Sequence, residues 1–467
     1  MTQGRCLLTT PTLARAAGHG RAAAPVRIVH VGLGNFVRAH LAWYTEHSPD
    51  ADQWGIAAFT GRSPAAAEAL APQGGLYTLI TRQPDGDRFE VISSISAVHP
   101  SSDHDAWLGY WRSPEVAIVT LTITEGGYLR RSDGSLNLDL PEVAADLAAL
   151  RTDAAAPVRT APAKLVAGML ARRAAGAGAL TLLPCDNLPA SGQVAARVVG
   201  DLATEVDPSL PEWIRANVSF ATSMVDRITP GVTDADRAAV LAATGLADAS
   251  PVQTEPFTEW VVAGEFPAGR PSWEAAGARF VKDVTPFEHR KLALLNGAHS
   301  LLAYAGTILG HPTVSEAIND PRCRAWVNQW WDEAVRHLPL PAEELAAYRQ
   351  ALLTRFENPQ MRDALARIAA DGSAKLPIRI VPTLCAERAA GAVPTGACRV
   401  VAAWALHLRG HGAAVNDVQA DLVARLAEGS PTDTIVGVLA YLGEDLASDP
   451  VVVEAVLTAT DELLQAC

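Results

Sequence analysis

Val26-Arg-Ile-Val-His-Val-Gly-Leu-Gly-Asn-Phe-Val-Arg-Ala-His40 reads as a β-strand, a tight glycine turn and the start of a helix. Gly32 permits the turn. Gly34 lets the backbone approach a pyrophosphate, and the helix N-terminus beyond offers free N–H groups and a partial positive charge. The third glycine of the usual dinucleotide fingerprint is absent, because position 37 is valine. A bare Gly-x-Gly is weak by itself. The strand before it and the helix after it make a dinucleotide site the better reading. The fingerprint also expects a carboxylate about 20 residues further on, facing the ribose hydroxyls. Here the second strand runs into Phe59-Thr-Gly-Arg-Ser63, with no acid. Arg62 suits a 2′-phosphate and hence NADP(H), and a solvated turn arginine accounts for it equally well.

Outward from this turn, strand-like and helix-like runs alternate. Asn35 to Glu46 reads as a helix, Gly55 to Phe59 as a strand and Pro64 to Ala71 as an alanine-rich helix. Tyr77 to Arg82 and Phe89 to Ala97 read as strands around a Pro-Asp-Gly-Asp turn. Val116 to Thr124 and Leu180 to Leu183 are further strands, the second after a helix around Lys164 to Ala175. Such alternation predicts a mainly parallel sheet with helices on both faces. After about Val284 the strands give way to helices at Glu288 to Leu309, Arg322 to His337, Ala342 to Phe356, Arg362 to Ala370 and Cys398 to Arg409. Asp417 to Ala427, Thr434 to Leu442 and Val452 to Leu464 continue the series. The expected division is a ragged leader over 1–25, an α/β domain over 26–282 and a mostly helical domain over 283–467.

Composition narrows the function classes. At 467 residues the chain is long enough for two domains. Charged residues make up 19% and hydrophobic residues 49%, which favours large buried cores over disorder. Lys+Arg 38 against Asp+Glu 51 gives a net charge of −13, a poor match to nucleic-acid binding. The 6 cysteines include no C-x-x-C pair and read as cytosolic thiols. Thr9, Thr10 and Pro11 interrupt any signal-peptide core. Leu292 to Ser315 carries no charge, yet Asn296, His299, Ser300 and His311 make a buried helix a better reading than a membrane span. The expected setting is cytoplasmic, with no membrane or nucleic-acid partner.

Phe287-Glu-His-Arg-Lys-Leu-Ala-Leu-Leu-Asn-Gly-Ala-His-Ser300 is the stretch richest in chemistry. At about 100° per residue, Lys291, Asn296 and His299 fall within an arc of about 140°, with Glu288 inside it. Polar side chains in a helix of Leu and Ala need partners or a cavity. Oxidising a secondary alcohol sends a hydride to nicotinamide and a proton to a base. A lysine serves as that base when burial lowers its pKa, an asparagine amide hydrogen-bonds the developing alkoxide, and a histidine orients the neighbouring hydroxyl. A buried hydrogen-bond network is the plain alternative. No zinc-type ligand spacing is present, so the chemistry is expected to need no metal.

Several ordered stretches, together with these, give a resemblance. They are Gly32-Leu-Gly-Asn-Phe-Val-Arg-Ala-His40, Thr122-Ile-Thr-Glu-Gly-Gly-Tyr128, Pro184-Cys-Asp-Asn-Leu-Pro-Ala-Ser-Gly192 and Met224-Val-Asp-Arg-Ile-Thr-Pro230. Lys291-x4-Asn296-x2-His299-Ser300, Arg355-Phe-Glu-Asn-Pro359 and Arg367-Ile-Ala-Ala-Asp-Gly-Ser-Ala-Lys-Leu-Pro377 complete the set. From about residue 26 the chain resembles the mannitol dehydrogenase family of polyol-specific long-chain dehydrogenases. That family includes mannitol 2-dehydrogenases, arabinitol dehydrogenases and fructuronate reductases.

The resemblance implies a Rossmann-like domain followed by a helical domain. It implies an NAD(H)-dependent oxidoreductase that interconverts a sugar alcohol and a ketose. Lys291 would be the general acid/base, Asn187 and Asn296 the oxyanion hole, His299 a substrate-positioning group and Glu288 a gate for proton passage. Asp226, Arg367 and Lys375 would touch the polyol, and Gly32, Gly34 and Phe36 the dinucleotide. The acid-free turn at Arg62 is a departure from NAD-preferring relatives. The resemblance also includes monomers, so a monomer is expected.

Taken singly, several of these residues have structural explanations: Asn187 as a turn residue, Asp226 as an ion-pair partner of Arg227, Arg367 and Lys375 as solvated cations. D-Fructuronate reduction is a close alternative, because a cationic clamp for a carboxylate is available in Arg367 and Lys375. A catalytically silent sugar- or nucleotide-binding protein is the alternative of another class, and the intact Lys, Asn and His weigh against it. A decarboxylating hydroxyacid dehydrogenase shares the domain plan, but the Lys-x4-Asn-x2-His spacing disfavours it.

Overall fold

A computed structural model describes residues 10–466. Residues 1–9 of the expected leader, Cys6 among them, and Cys467 lie outside the described residues. The chain divides into two compact units, one ending at Thr285 and the other beginning at Pro286.

The first unit is built on strands β1 (Val26–Val31), β2 (Gly55–Phe59), β3 (Tyr77–Gln83), β4 (Gly86–Ile92), β5 (Ile95–His99) and β6 (Ile118–Leu121). Further along come β7 (Leu180–Pro184), β8 (Val218–Phe220), β9 (Thr222–Asp226), β10 (Val252–Thr254), β11 (Glu259–Ala263) and β12 (Arg279–Phe280). Six of these form one sheet in the order β5-β2-β1-β6-β7-β8, and every pairing in it is parallel. Helices cover both faces, so β2, β6 and β7 are buried along their whole length. One apolar layer gathers Trp107, Trp111 and Met169. The other gathers Val37, Tyr44 and Trp260. The strand order reverses between β1 and β6, the switch point at which open α/β sheets form their ligand crevice.

Several expectations need correction. Residues 11–25 are not ragged. Thr12 bridges Ala247, the Leu13 N–H donates to the Ala247 carbonyl at 2.8 Å, and Arg15 donates to the carbonyls of Gly74, Ser93 and Ile95. The expected strand Phe89 to Ala97 is two strands in different sheets. The chain crosses over at Ser93-Ser94, where the Ser94 hydroxyl donates to Ala42 O at 2.7 Å. The expected helix Asn35 to Glu46 breaks at His40 into Asn35–Ala39 and Leu41–Glu46. The carbonyls of Arg38 and Ala39 accept instead from the Tyr77 hydroxyl and the Arg227 guanidinium, and carbonyls drawn out of the ladder kink a helix. Strands β8 to β12 have no counterpart among the expected elements. Of these, β9, β11 and β12 form a small sheet of their own, and β10 joins β3 and β4 in another.

The second unit is helical. Pro321–Ala334, Ala342–Glu357, Thr395–Leu408, Ala420–Leu426, Pro431–Leu442 and Pro450–Gln465 fall close to the expected spans. Four helices, Val314–Asn319, Gly372–Arg379, Val381–Ala389 and Glu444–Ser448, lie outside every expected span. The expected helix Arg362 to Ala370 shrinks to Leu365–Ile368. Arg362 is left-handed at φ 43, and the Val314 N–H takes the Asp363 carbonyl at 3.0 Å, which holds that segment extended.

Candidate active site

At the glycine turn of the first unit, Gly32 has φ +104, and a Cβ there would sit 2.1 Å from the Thr122 carbonyl oxygen. Its N–H and that of Leu33 donate to Phe59 O at 3.0 and 2.9 Å, seating the turn on the end of β2. Gly34 is different. Its φ is −138, and an added Cβ would find only Gly32 O, at an ordinary 3.7 Å. The protein's own packing does not require glycine at 34, so its bare Cα leaves a cradle, as a pyrophosphate approaching backbone needs. Val37, where a third glycine would stand, is buried in the layer beneath the helix.

Arg38 holds this turn from inside. Its guanidinium donates to Gly34 O at 3.1 Å, Asn35 Oδ1 at 2.8 Å and Ser250 O at 2.6 Å, and burial lowers its pKa to about 10. Phe36 stacks on His40 with ring centroids 4.9 Å apart. Beyond β2, the Thr60 hydroxyl accepts the Ser101 N–H at 3.0 Å, and Arg62 is exposed.

Asn187 lies beyond β7 on an exposed turn. The turn ends at Ala190, left-handed at φ 51, before the helix Ser191–Val206. Asp226, the last residue of β9, is buried and sits opposite Glu259 across the antiparallel pair. Arg227 turns to the carbonyls of Ala39 and Glu255 and to the face of the Trp43 ring.

In the second unit the helix bearing Lys291 is not uniform. Thr285–Arg290 is α-helical, Lys291–Asn296 is a π turn, Gly297–Leu301 is α and Leu302–Gly306 is a second π turn. The arc expected from a plain α-helix is corrected accordingly. A π turn inserts one residue, so Asn296 takes the place an i+4 residue would hold relative to Lys291. Lys291, Asn296 and His299 then fall within about 60°, a narrower arc than a plain α-helix gives. Between 291 and 300 the partly open positions are these three and Leu292; the rest are buried. Glu288, one turn earlier, is buried.

Two tryptophans fasten the π turn. The Trp330 and Trp331 indoles, on Pro321–Ala334, donate to the carbonyls of Ala293 at 2.9 Å and Leu294 at 2.8 Å. Gly297 lets the ring approach: a Cβ there would lie 2.7 Å from Trp330. Arg290 anchors the preceding turn, donating to Glu344 at 3.2 Å and lying 3.9 Å over the Tyr348 ring. The His299 ring packs on Phe356 at 5.0 Å.

The expected sugar-binding cations, Arg367 and Lys375, both belong to this unit, and Lys375 stands on the helix Gly372–Arg379. The Arg367 side chain is 71% exposed and ion-pairs with Asp363. The Lys375 ammonium donates to the carbonyls of Ile368 and Ala370, and burial lowers its pKa. Arg379, at the end of the same helix, reaches the Lys291 helix, with Nη1 3.4 Å from Asn296 O and 3.3 Å from Ser300 Oγ. Sequence reading misses Arg379, Trp330, Trp331 and Gly297. The adjacent Trp-Trp pair is visible in the chain, but nothing local says which carbonyls two indoles will find.

Residues 26–275 match the mannitol dehydrogenase Rossmann domain, and residues 283–464 match the mannitol dehydrogenase C-terminal domain. The chain belongs to the mannitol dehydrogenase family. It is 41% identical over 383 residues to a D-arabinitol 4-dehydrogenase of Ralstonia nicotianae, covering 80% of this chain and 81% of that one. It is 38% identical over 366 residues to a D-mannonate oxidoreductase of Escherichia coli, covering 76% and 74%. Among solved structures, a Pseudomonas fluorescens mannitol 2-dehydrogenase in ternary complex with NAD and D-mannitol superimposes with a TM-score of 0.77. That pair shares 35% identity over 97% of this chain and 94% of that one.

Proposed function

We propose that the chain interconverts a sugar alcohol of the mannitol type and its ketose with NAD(H), using Lys291 as general acid and base and no metal. Family membership makes it an oxidoreductase of polyols or aldonates. The observation that carries the finer reading is the placement of Lys291, Asn296 and His299 on one face of a fastened π turn. In alcohol oxidation Lys291 takes the hydroxyl proton and passes it toward solvent by way of Glu288. The Asn296 amide hydrogen-bonds the oxygen as it gains charge, a role also proposed for Asn187. His299 orients the substrate chain, and Asp226, Arg367 and Lys375 are proposed to bind its remaining hydroxyls.

Bound NAD+ supplies the hydride acceptor. Gly32, Gly34, Phe36 and the turn braced by Arg38 would hold it on residues 26–282, and the base belongs to residues 283–467. Cys185, Cys323, Cys385 and Cys398 are free thiols, which supports a cytoplasmic setting; the protein is read as a monomer, which sedimentation would check. A second reading is D-mannonate oxidation, in reverse D-fructuronate reduction. The likeness to a D-mannonate oxidoreductase supports it, as does the cation Arg379 against the Lys291 helix. Purified protein assayed with mannitol, arabinitol and mannonate, each with NAD and NADP, separates the two. Mannonate turned over in preference to both polyols would replace the first reading by the second.

A further inference from the structure

The parallel pairing of β6 with β7 ends at Leu121 and Pro184, and from there the chain descends through a series of anchors to Asn187. The Pro184 carbonyl accepts the Ser223 hydroxyl at 2.8 Å. The Cys185 N–H donates to Leu121 O at 2.8 Å, carrying the ladder one residue past the strand. The next residue, Asp186, is 5% exposed and spends its carboxyl on the neighbouring loop. Oδ1 accepts the Ile123 N–H at 2.5 Å, and Oδ2 accepts the Tyr128 hydroxyl. Both donors belong to the segment after β6, so one side chain ties two loops together at the switch-point end of the sheet. Then comes Asn187, exposed, with left-handed Ala190 closing the turn.

We propose that Asp186, held by the Ile123 N–H and the Tyr128 hydroxyl, is a positioning residue that sets where Asn187 presents its amide. This inference rests on the role given to Asn187 above. A carboxylate suits the task because it accepts from two donors at once, whereas an amide at 186 would turn an N–H toward one of them. Burial pushes the Asp186 carboxyl up to about 7, with the Tyr128 and Ile123 hydrogen bonds pulling the other way. The titratable groups facing it are Tyr128 and Cys185, both kept neutral by burial, with Arg130 acting on Tyr128 from further out.

The test uses Asp186→Asn and Tyr128→Phe in the full chain. A misplaced donor costs turnover more than binding, so kcat should fall about tenfold to a hundredfold while KM and the NAD(H) dissociation constant stay within about twofold. In wild type, one ionisation in the kcat–pH profile should belong to Asp186 and vanish in Asp186→Asn. Deuterium exchange over residues 185–190 should quicken in both variants with the rest of the sheet unchanged, a readout that needs no turnover. Wild-type kcat and exchange in either variant overturns the proposal, as does loss of kcat only in step with loss of folded protein. If Asp186→Asn does not fold, Tyr128→Phe decides. A wild type inactive on every polyol and aldonate is a failure of the functional reading, and exchange alone then judges this one.

Discussion

Arg62 stands at the end of β2 with its side chain exposed and no carboxylate in the turn Thr60-Gly-Arg-Ser63. A guanidinium pairs bidentately with a phosphate dianion and has little to offer a ribose diol. Arg62→Ala should therefore raise KM for NADP(H) about tenfold and leave KM for NAD(H) within about twofold. Steady-state kinetics with both cofactors measure this, and equal effects on the two would make Arg62 a solvated turn residue. Gly32 is a residue whose reason is legible in the chain: the turn it predicts needs a positive φ, and it has one. Asp186 is visible in the sequence only as part of a motif. Its importance comes from two donors more than fifty residues away in sequence, which no local pattern encodes.

At the scale of elements, the π turn Lys291–Asn296 is the feature on which the candidate base depends. Gly297→Ala would push a Cβ into the Trp330 indole. Overpacking of that kind costs about 1–3 kcal/mol, and the helix must give way at the residue next to Asn296. Trp331→Phe keeps a ring but leaves the Leu294 carbonyl without its indole donor, also a loss of about 1–3 kcal/mol. Both variants should unfold at lower temperature and lose about tenfold or more in kcat. Wild-type kcat in Trp331→Phe would show that the turn does not need its clamp.

The inner strands β1, β2, β6 and β7 of the large sheet and most helices of the second unit are readable from hydrophobic runs, because burial on both faces writes itself into sequence, whereas β8 at the sheet's edge is not. The π turn is not. Sequence periodicity sees a helix, whereas the extra residue is settled by two indoles from another helix. The His40 break is hidden for the same reason, since Tyr77 and Arg227 take the neighbouring carbonyls from outside.

At the scale of the whole molecule, two buried groups of the first unit set opposing responses to pH. His30, on the central strand β1, bonds the hydroxyls of Thr120 at 2.8 Å and Thr122 at 3.0 Å, and burial holds its pKa down to about 3. The unfolded chain protonates this histidine below about 6.5, so its contribution is present above that pH and lost on acidification toward about 3. The slope is about 1.4 kcal/mol per pH unit, or about 2 kcal/mol between pH 6.5 and 5. Asp186 runs the other way. Its folded pKa of about 7 lies above the unfolded one, so its contribution is present at low pH and lost as pH rises toward 7. Over the shared window the two nearly cancel. Asp186→Asn removes the compensating slope, so its melting temperature should fall more steeply than that of wild type between pH 6.5 and 5. Parallel profiles for the two proteins would contradict this pairing.

The central claim is that Lys291 moves the proton in oxidation of a polyol or aldonate. Its most direct test tracks the absorbance of reduced nicotinamide while wild type and Lys291→Ala are offered mannitol, arabinitol and mannonate with NAD. Wild type should reduce the cofactor with at least one of them. Lys291→Ala should be slower by about a thousandfold or more while binding NAD(H) as before. Turnover by Lys291→Ala at a rate near wild type, or loss of cofactor binding together with activity, would contradict the account.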